Sequence, residues 1–435
     1  MIKYPSKINK SLYKDKSNKP KTFYGLNPEI KFCKMCTYSN QKPISEKEYK
    51  HKKNTKKTTL LFDIEGICSA CKVLERKKEI DWELRKYKLK KLCDKYRSRN
   101  GKYDCLVPGS GGKDSFYAAY KLKYEFNMNP LTVTWSPHMY TDWGWKNFKS
   151  WIDAGFANYL FTPNGKTHRI LTRLALEKLF HPFQPFMLGQ QHFPPRTALK
   201  HFNIPLVFYG DMNAEFGSPD DYENPSRDKI FFSSSKNADI LIAGTPVDEL
   251  ISKYEITPQD LMPFMPLQEI DLKQKKLDVQ YLGYYLKWHP QECYYFSVEK
   301  GNFEASPERT TGTYSKYNSI DDKVDDFHYY TTFIKFGIGR ATYDSAQEIR
   351  NNEINREEGV ALVKKFDGEF PNRFLKEILT YLSIDKKKFP KAHKNFEEPI
   401  IDLKYFNLLT DNFRSPHIWK HTNNKWKLRK TVWTQ

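Results

Sequence analysis

The residues with the clearest chemical potential lie in the stretch Val107–Ser115, which reads VPGSGGKDS and falls between an apolar run and a helical pattern. Glycines let the backbone approach an anion closely, serines offer hydroxyl donors, and a helix N-terminus supplies free N–H groups. A carboxylate in such a cradle would repel phosphate unless a cation intervened, so Asp114 is the expected Mg²⁺ ligand. Lys113 adds positive charge or else points to solvent. The stretch predicts a phosphate-binding loop, with a glycine-rich turn before an ordinary helix as the alternative. It matches neither GxxxxGK[ST] nor GxGxxG.

Four of the seven cysteines form two C-x-x-C pairs: Cys33, Cys36, Cys68 and Cys71. Four thiolates suit tetrahedral zinc, and four protein ligands leave no open position for catalysis. The pairs therefore predict a structural zinc site, with four unpaired buried thiols as the alternative. The remaining cysteines stand alone and are expected to behave as small hydrophobes: Cys93, Cys105 and Cys293.

Short apolar runs alternate with helical stretches from residue 103 onwards, which is typical of a parallel α/β sheet. The predicted strands are Tyr103–Val107, Leu131–Trp135, Tyr159–Thr162, Leu206–Tyr209 and Asp239–Ala243. Ligands of such sheets bind at the carboxyl ends of the strands. We therefore expect Thr134 and Trp135, at the end of the second strand, to lie near a bound nucleotide.

Helical periodicity predicts a linker helix over Ile80–Tyr96 and a series of helices after the first strand. Those expected in the first half are Phe116–Phe126, Asn147–Ala154, Thr167–Phe180 and Arg196–Phe202, and those near the C-terminus are Ser345–Asn352, Arg356–Phe366 and Arg373–Ser383. Arg350 is expected on a helix surface. The predicted organisation is a basic flexible arm (1–30), a cysteine module with its linker helix (31–102), an ATP-binding domain (103–250) and a mixed, helix-rich substrate or accessory region (251–435).

The net charge of +20 is concentrated at one end, because residues 1–102 hold 29 basic and 11 acidic side chains. The remaining body is nearly neutral, so a polyanion partner is not required by its charge and nucleic acid is not expected. No run approaches the roughly 18 apolar residues that span a bilayer, and the N-terminus has no apolar signal region. The sequence predicts a cytoplasmic protein without a membrane span.

The segment Ser110–Ser115 resembles the PP-loop signature of the ATP pyrophosphatase superfamily, whose fold is Rossmann-like and related to the adenine nucleotide α hydrolases. The resemblance implies that Ser110, Gly111, Gly112 and the next three residues bind ATP, and that a substrate oxygen is adenylated. AMP and pyrophosphate are the implied products.

Further strings resemble the N-acetyl sugar amidotransferases of bacterial surface polysaccharides and flagellar sugars, over residues 31–430. They are 62–68 (FDIEGIC), 281–285 (YLGYY) with Trp288, 325–330 (DDFHYY), 335–342 (KFGIGRAT) and 413–419 (FRSPHIW).

This resemblance implies an AMP-forming carbon–nitrogen ligase that converts a sugar acetamido group to acetamidino through an adenylated imidate. The implied substrate is an N-acetyl sugar, free or nucleotide-linked, of the pseudaminic, legionaminic or diacetamido uronic type found in lipopolysaccharide or flagellin glycosylation. A separate glutaminase supplies the ammonia. The chain itself has no cysteine near residue 2 and no Gly-x-Cys-x-Gly string, so the usual glutaminase nucleophiles are missing from its sequence.

The predicted catalytic residues are Asp114, Lys113, Lys335 and Arg340. The last two flank a Gly-x-Gly turn and would neutralise the α-phosphate or a sugar carboxylate, with surface cations as the alternative.

Three further residues are predicted to bind substrate. His328 would move a proton from ammonia or else belong to an aromatic cluster. Asp211 and Glu215 would face the cationic acetamidine product, and relatives show Gly-Glu-Asn at this point, so the metal or substrate role of each stays open.

Two other functions compete with this one. A zinc module and an SGGKDS loop also resemble PP-loop tRNA thiolases, but those carry extra cysteines in the catalytic domain, and only Cys293 follows Cys105 here. A zinc-bearing nucleic-acid-binding module without catalysis is the third possibility.

Overall fold

A five-stranded parallel sheet organises the chain, whose computed structural model describes residues 5–14, 20–44, 48–52, 55–218, 223–235 and 240–434. The strands are β1 Cys105–Pro108, β2 Pro130–Trp135, β3 Asn158–Phe161, β4 Leu206–Tyr209, β5 Ser233–Ser234, β6 Leu241–Ile242, β7 Thr245–Pro246, β8 Leu267–Gln268, β9 Asp278–Tyr281, β10 Trp419–Thr422 and β11 Lys425–Leu428. The sheet order is β3-β2-β1-β4-β9, and each neighbouring pair is parallel. The predicted α/β class with a parallel sheet is confirmed.

The last predicted strand of this sheet is wrong. Leu241–Ile242 pairs antiparallel with Thr245–Pro246, because the chain reverses at Ala243 (φ 53°) and Gly244 (φ 66°). Asp239, where that strand was expected to begin, lies outside the described residues. The sheet instead takes its fifth strand from Asp278–Tyr281, beyond the predicted domain end at residue 250.

Helices cover both faces of the sheet and form most of the C-terminal region. They are α1 Ser69–Lys78, α2 Trp82–Tyr96, α3 Lys113–Tyr120, α4 Asp142–Asp153, α5 Gly165–Leu179, α6 Gln184–Arg196, α7 Val247–Lys253, α8 Pro258–Leu261, α9 Glu269–Gln274, α10 Leu282–Tyr285, α11 Pro290–Gly301, α12 Asp325–Phe336, α13 Arg340–Arg350, α14 Arg356–Phe366, α15 Leu375–Leu382 and α16 Leu403–Phe413. Among the described residues, none of these helices has the length and apolar character needed to cross a membrane.

Alternating side chains of the central strands enter two separate apolar cores, as expected for a sheet that is covered on both faces. Leu106 and Val207 lie in the core built with α5 and α6, whereas Val107 and Phe208 lie in the core built with α3. The carboxyl ends of β1 and β4, which are neighbours in the sheet, are therefore held rigidly side by side.

The N-terminal arm, which is expected to be flexible or draped over the protein, packs against the C-terminal region over its described residues. The Tyr13 hydroxyl donates to the Arg414 carbonyl (2.9 Å), and the Tyr24 hydroxyl donates to the Phe413 carbonyl (2.8 Å). Both bonds are made to the FRSPHIW string, so one effect of the arm is to hold that segment in place.

Candidate functional site

The glycine-rich loop connects β1 to α3 at the carboxyl edge of the sheet. Gly111 has φ +87°, and a Cβ there would lie 2.7 Å from the backbone oxygen of Asn147. A Cβ on Gly109 would lie 2.2 Å from the Cβ of Ser115. Only glycine fits at these two positions, so the loop passes close to α4 and presents its backbone at the start of α3.

A cavity of about 330 Å³ lies at this loop, and we call it the loop cavity. Ser110, Gly112, Lys113 and Asp114 form one wall. The opposite wall comes from the C-terminal region: Tyr317, Asn318, Asp321, Tyr329, Arg340 and Gln347. A Cβ on Gly112 would meet only the Ser110 Oγ, at 3.7 Å, so a side chain there would fill space that glycine leaves open. Gly112 is the N-cap residue of α3 and supplies no side-chain cap, so the first N–H groups of the helix suit an anion as their partner.

Asp114 and Asp211 are brought together where β1 and β4 end. One Asp114 oxygen accepts a hydrogen bond from Trp288 Nε1 (2.8 Å) and the other lies 2.6 Å from Lys113 Nζ. Burial and the negative charge of Asp114 raise the pKa of Asp211. A cation between two such carboxylates would relieve their repulsion, so the pair fits the oxygen-ligand chemistry of Mg²⁺.

Asp321 lines the loop cavity together with Asp114, and it is not among the site residues predicted from the sequence. Burial raises the pKa of its carboxyl, and a hydrogen bond from the Ser110 hydroxyl partly opposes that rise. It precedes Asp322, which binds His138 Nδ1 at 2.7 Å. No local pattern distinguishes Asp321 from other surface acids, because it meets the loop only through tertiary packing.

A second cavity, also of about 330 Å³, adjoins the first, and we call it the histidine cavity after His181 and His328. The two imidazoles stack with their ring centroids 5.0 Å apart. Burial, with Arg340 as the next cause, lowers the pKa of His328 to about 4, so the ring is neutral near pH 7. The two cavities share four wall residues: Phe216, Tyr329, Arg340 and Gln347.

The two cations predicted around the Gly-x-Gly turn have different positions. Arg340 begins α13, binds Asp344 through Nε (2.9 Å), donates to the Tyr329 hydroxyl and lines both cavities. Lys335 lies near the end of α12, donates to the Leu179 carbonyl (2.8 Å) and lines only the histidine cavity. Burial lowers the pKa of Lys335 to about 7. Neither is a surface cation.

Among the predicted site residues outside the loop and the cysteine pairs, Asp211 and three others do not line these cavities. Glu215 is buried in an ion pair with Lys77 (2.5 Å). Thr134 is fully buried and accepts a hydrogen bond from the Asn158 side chain (2.9 Å). Trp135 packs in the apolar core against α6, where it meets Gly189. The structure therefore places these three side chains in supporting positions, away from the loop.

The four cysteines of the two C-x-x-C pairs are buried, and their sulfur atoms all lie within 4.8 Å of one another. The Cys33–Cys71 and Cys36–Cys68 sulfur distances are 3.9 and 3.7 Å. A tetrahedron with Zn–S bonds of about 2.3 Å has edges of about 3.8 Å, so the cluster has the dimensions of a zinc site. The backbone N–H groups of Met35 and Cys68 also point at the Cys33 sulfur.

The cysteine module and Arg350 both contact the segment Glu215–Gly217, which lies beside the cavities. Arg350 is buried beside the cysteines, not on a helix surface as expected, and donates to the Glu215 carbonyl (3.0 Å). Lys42 Nζ donates to the Phe216 carbonyl (2.7 Å), and Ser69 Oγ donates to the Gly217 carbonyl (2.8 Å). The module thus supports the segment that contributes Phe216 to both cavities.

These features define an α/β protein with a glycine-rich loop at the carboxyl edge of its sheet and a buried four-cysteine cluster. Residues 311–432 match the family model described as LPS biosynthesis protein WbpG-like, C-terminal domain. The matched part carries α12 and α13, which supply Lys335, Arg340 and Gln347. This part of the chain is therefore similar to a family of lipopolysaccharide biosynthesis proteins.

A curated relative shares a shorter stretch of the chain. Uncharacterized protein MJ1599 of Methanocaldococcus jannaschii is 35% identical over 82 residues, which cover 18% of this chain and 29% of that protein. The chain thus matches less than a third of that relative's length.

Proposed function

We propose that the protein is an ATP-dependent, AMP-forming amidotransferase that converts the acetamido group of a bacterial surface sugar to an acetamidino group. The observation that carries the proposal is the loop Ser110–Ser115 at the carboxyl end of β1, which lines a cavity together with residues of the WbpG-like region. Ammonia would come from a separate glutaminase, and the product sugar would enter lipopolysaccharide or flagellar glycan synthesis.

In this mechanism, the loop N–H groups and Ser110 bind the phosphates of ATP, and Asp114 and Asp211 would hold Mg²⁺. Bound Mg²⁺ would supply neutralisation of phosphate charge. Lys113 and Arg340 add positive charge on the two sides of the loop cavity, where charge develops as a substrate oxygen attacks the α-phosphorus. Ammonia then displaces AMP from the adenylated imidate. Because His328 is neutral near pH 7, it can accept a proton from the attacking ammonia.

The cysteine cluster is proposed to hold one structural zinc ion. Its four thiolates leave no coordination position open, so the zinc would act on the fold and not on the substrate.

The competing sulfur-transfer function is disfavoured by the state of the other cysteines. Burial raises the pKa of Cys93 to about 12 and raises that of Cys105 and Cys293 as well. Thiols held in the protonated form are poor nucleophiles, so none of the three suits a sulfur relay.

The direct test supplies the protein with ATP, Mg²⁺, ammonium and a panel of N-acetyl sugars and their nucleotide conjugates. We expect AMP, pyrophosphate and a sugar in which NH has replaced the acetamido oxygen, read by mass spectrometry. AMP formation with tRNA and with no sugar would overturn the proposal in favour of the tRNA-modifying alternative. Salt-dependent binding of tRNA or DNA without any AMP would favour the non-catalytic module.

Replacement of Gly111 by alanine is expected to weaken ATP binding by tenfold or more and to lower the thermal midpoint. A non-glycine residue at positive φ costs about 1–2 kcal/mol, and here the added Cβ also meets backbone atoms of Asn147 and Phe148 at 2.7 and 2.8 Å. Gly101→Ala is the matched control, because Gly101 has φ +75° with no atom within 4 Å of an added Cβ. Equal ATP affinity in the two variants would contradict the assignment of the loop.

A further inference from the structure

Five polar atoms at the histidine cavity are buried without a hydrogen-bond partner among the described residues. Glu48 Oε2 and Arg340 Nε have ion-pair partners, whereas three atoms have no partner of either kind. They are Gln191 Oε1, Gln347 Nε2 and His328 Nδ1. Buried polar atoms in folded proteins are almost always hydrogen-bonded, because an unpaired one loses its water without compensation. An amide oxygen, an amide nitrogen and an imidazole nitrogen together suit a ligand that both donates and accepts, such as the hydroxyl and acetamido groups of a sugar.

Aromatic rings form much of the remaining wall of the histidine cavity. Those that line it are Phe180, Phe216, Tyr329, Phe336 and Tyr343. A pocket with apolar, aromatic walls and a few convergent polar groups is the usual form of a small-molecule site. The C–H faces of a sugar ring would pack on such walls while its polar groups reach the glutamines.

The charges at this cavity favour a ligand with an anionic group. Its two carboxylates already have cationic or imidazole neighbours, since Glu48 lies 3.0 Å from His51 Nδ1 and Asp344 lies 2.9 Å from Arg340 Nε. Burial and then Lys57 lower the pKa of Lys335, and a bound anion would favour its charged form. Three lysines line the cavity: Lys42, Lys57 and Lys335.

The boundary between the two cavities is where a reaction between their ligands would occur. Arg340 and Gln347 line both, so a group bound in the histidine cavity can meet a phosphate bound at the loop without leaving the protein. Gln191 belongs to α6 and lines the histidine cavity but not the loop cavity, so a substitution at Gln191 tests the histidine cavity alone.

We propose that the histidine cavity is the acceptor site, that Gln191 and Gln347 are its specificity-determining residues for the polar groups of an acetamido sugar, and that Lys335 faces the anionic group of that sugar. The inference rests on the proposed function, which assigns the loop cavity to ATP. It transfers the acceptor role from Asp211 and Glu215 to residues of α6, α12 and α13.

The test measures binding of sugar probes to the full chain by calorimetry, with no nucleotide present. The acidic probes are N-acetylneuraminate and N-acetylglucosaminuronate, and N-acetylglucosamine is the neutral one. We expect at least one acidic probe to bind more tightly than the neutral probe. Gln191→Leu is expected to weaken the binding of that acidic probe about tenfold, as for one lost hydrogen bond. Gln190→Leu is the matched control, because Gln190 is the exposed neighbour on the same helix.

Lys335→Met is expected to remove the preference for acidic over neutral probes. Failure of every acidic probe to bind the wild type, or equal binding in the Gln191→Leu and Gln190→Leu proteins, would overturn the inference. ATP binding is measured on the same preparations. If ATP does not bind but Gln191→Leu still weakens sugar binding, the result would contradict the proposed function and support the sugar site.

Discussion

Asp114→Asn is expected to reduce AMP formation by about a thousandfold or more while leaving the fold intact. Asparagine has nearly the same shape and keeps an oxygen that can accept the 2.8 Å hydrogen bond from Trp288 Nε1. It cannot supply the negative charge that a divalent cation requires. Since Asp211 alone would then face the metal, the affinity for Mg²⁺ and the turnover with MgATP should fall together.

The measurement is the rate of AMP release at saturating ATP, with Mg²⁺ varied over a wide range. Asp153→Asn serves as the control, because Asp153 is an exposed carboxylate at the end of α4. Both variants should unfold at a temperature close to that of the wild type. An Asp114→Asn enzyme with more than a tenth of the wild-type rate would contradict a metal role for this carboxylate.

The parts of the site that sequence could predict are those whose signal is local. The segment Gly109–Ser115 combines glycine, serine and carboxylate within seven residues, and this pattern predicts a phosphate-binding loop at a strand–helix junction. The C-x-x-C spacing is likewise local, because two thiolates three residues apart can reach one metal ion. In the structure the glycine-rich segment connects β1 to α3, and the four sulfur atoms of the cysteine pairs lie within 4.8 Å of one another.

Contacts between residues that are far apart in the sequence could not be predicted. The run 239–243 (DILIA) is apolar after its first residue, whereas 278–281 (DVQY) has only Val279 and Tyr281 as apolar residues. Apolar character therefore favours the first run, and only the neighbours available in the sheet select the second. Glu215 looked like a site residue, yet its partner Lys77 is more than a hundred residues away in the chain. Arg350 has the sequence environment of a surface residue, but the cysteine module packs over it.

Helix α6 shows a different limit of sequence reasoning. It contains Pro194 and Pro195, which lack the N–H groups that an α-helix uses, and its apolar residues have no single face. The helix persists because it is buried on several sides and continues into the π-helical segment Thr197–Phe202, where the hydrogen-bond pattern is already shifted. Gln191, the residue proposed to bind the acceptor, is carried by this helix and was therefore not identified from the sequence.

Cys68→Ser is expected to lose the zinc ion and to destabilise the cysteine module. Binding of structural zinc contributes on the order of 10 kcal/mol to the free energy of folding of zinc-finger peptides. A tetrahedral site that has lost one of its ligands retains little of this stabilisation. The zinc content measured by metal analysis should fall from about one ion per chain to near zero, and limited proteolysis should cut within residues 31–71. Cys93→Ser, at a buried cysteine that stands outside the cluster, should keep its zinc.

Zinc loss is further expected to reduce the enzymatic rate, although no cysteine of the cluster lines either cavity. Helix α1 begins next to Cys68 and holds the neighbouring loop through Ser69 to the Gly217 carbonyl and through Lys77 to Glu215. That loop contributes Phe216 to both cavities, so release of α1 would open the boundary at which the two substrates meet. Removal of zinc from the wild type with a chelator should give the same loss, reversible on adding zinc; full activity of a zinc-free protein would contradict this coupling.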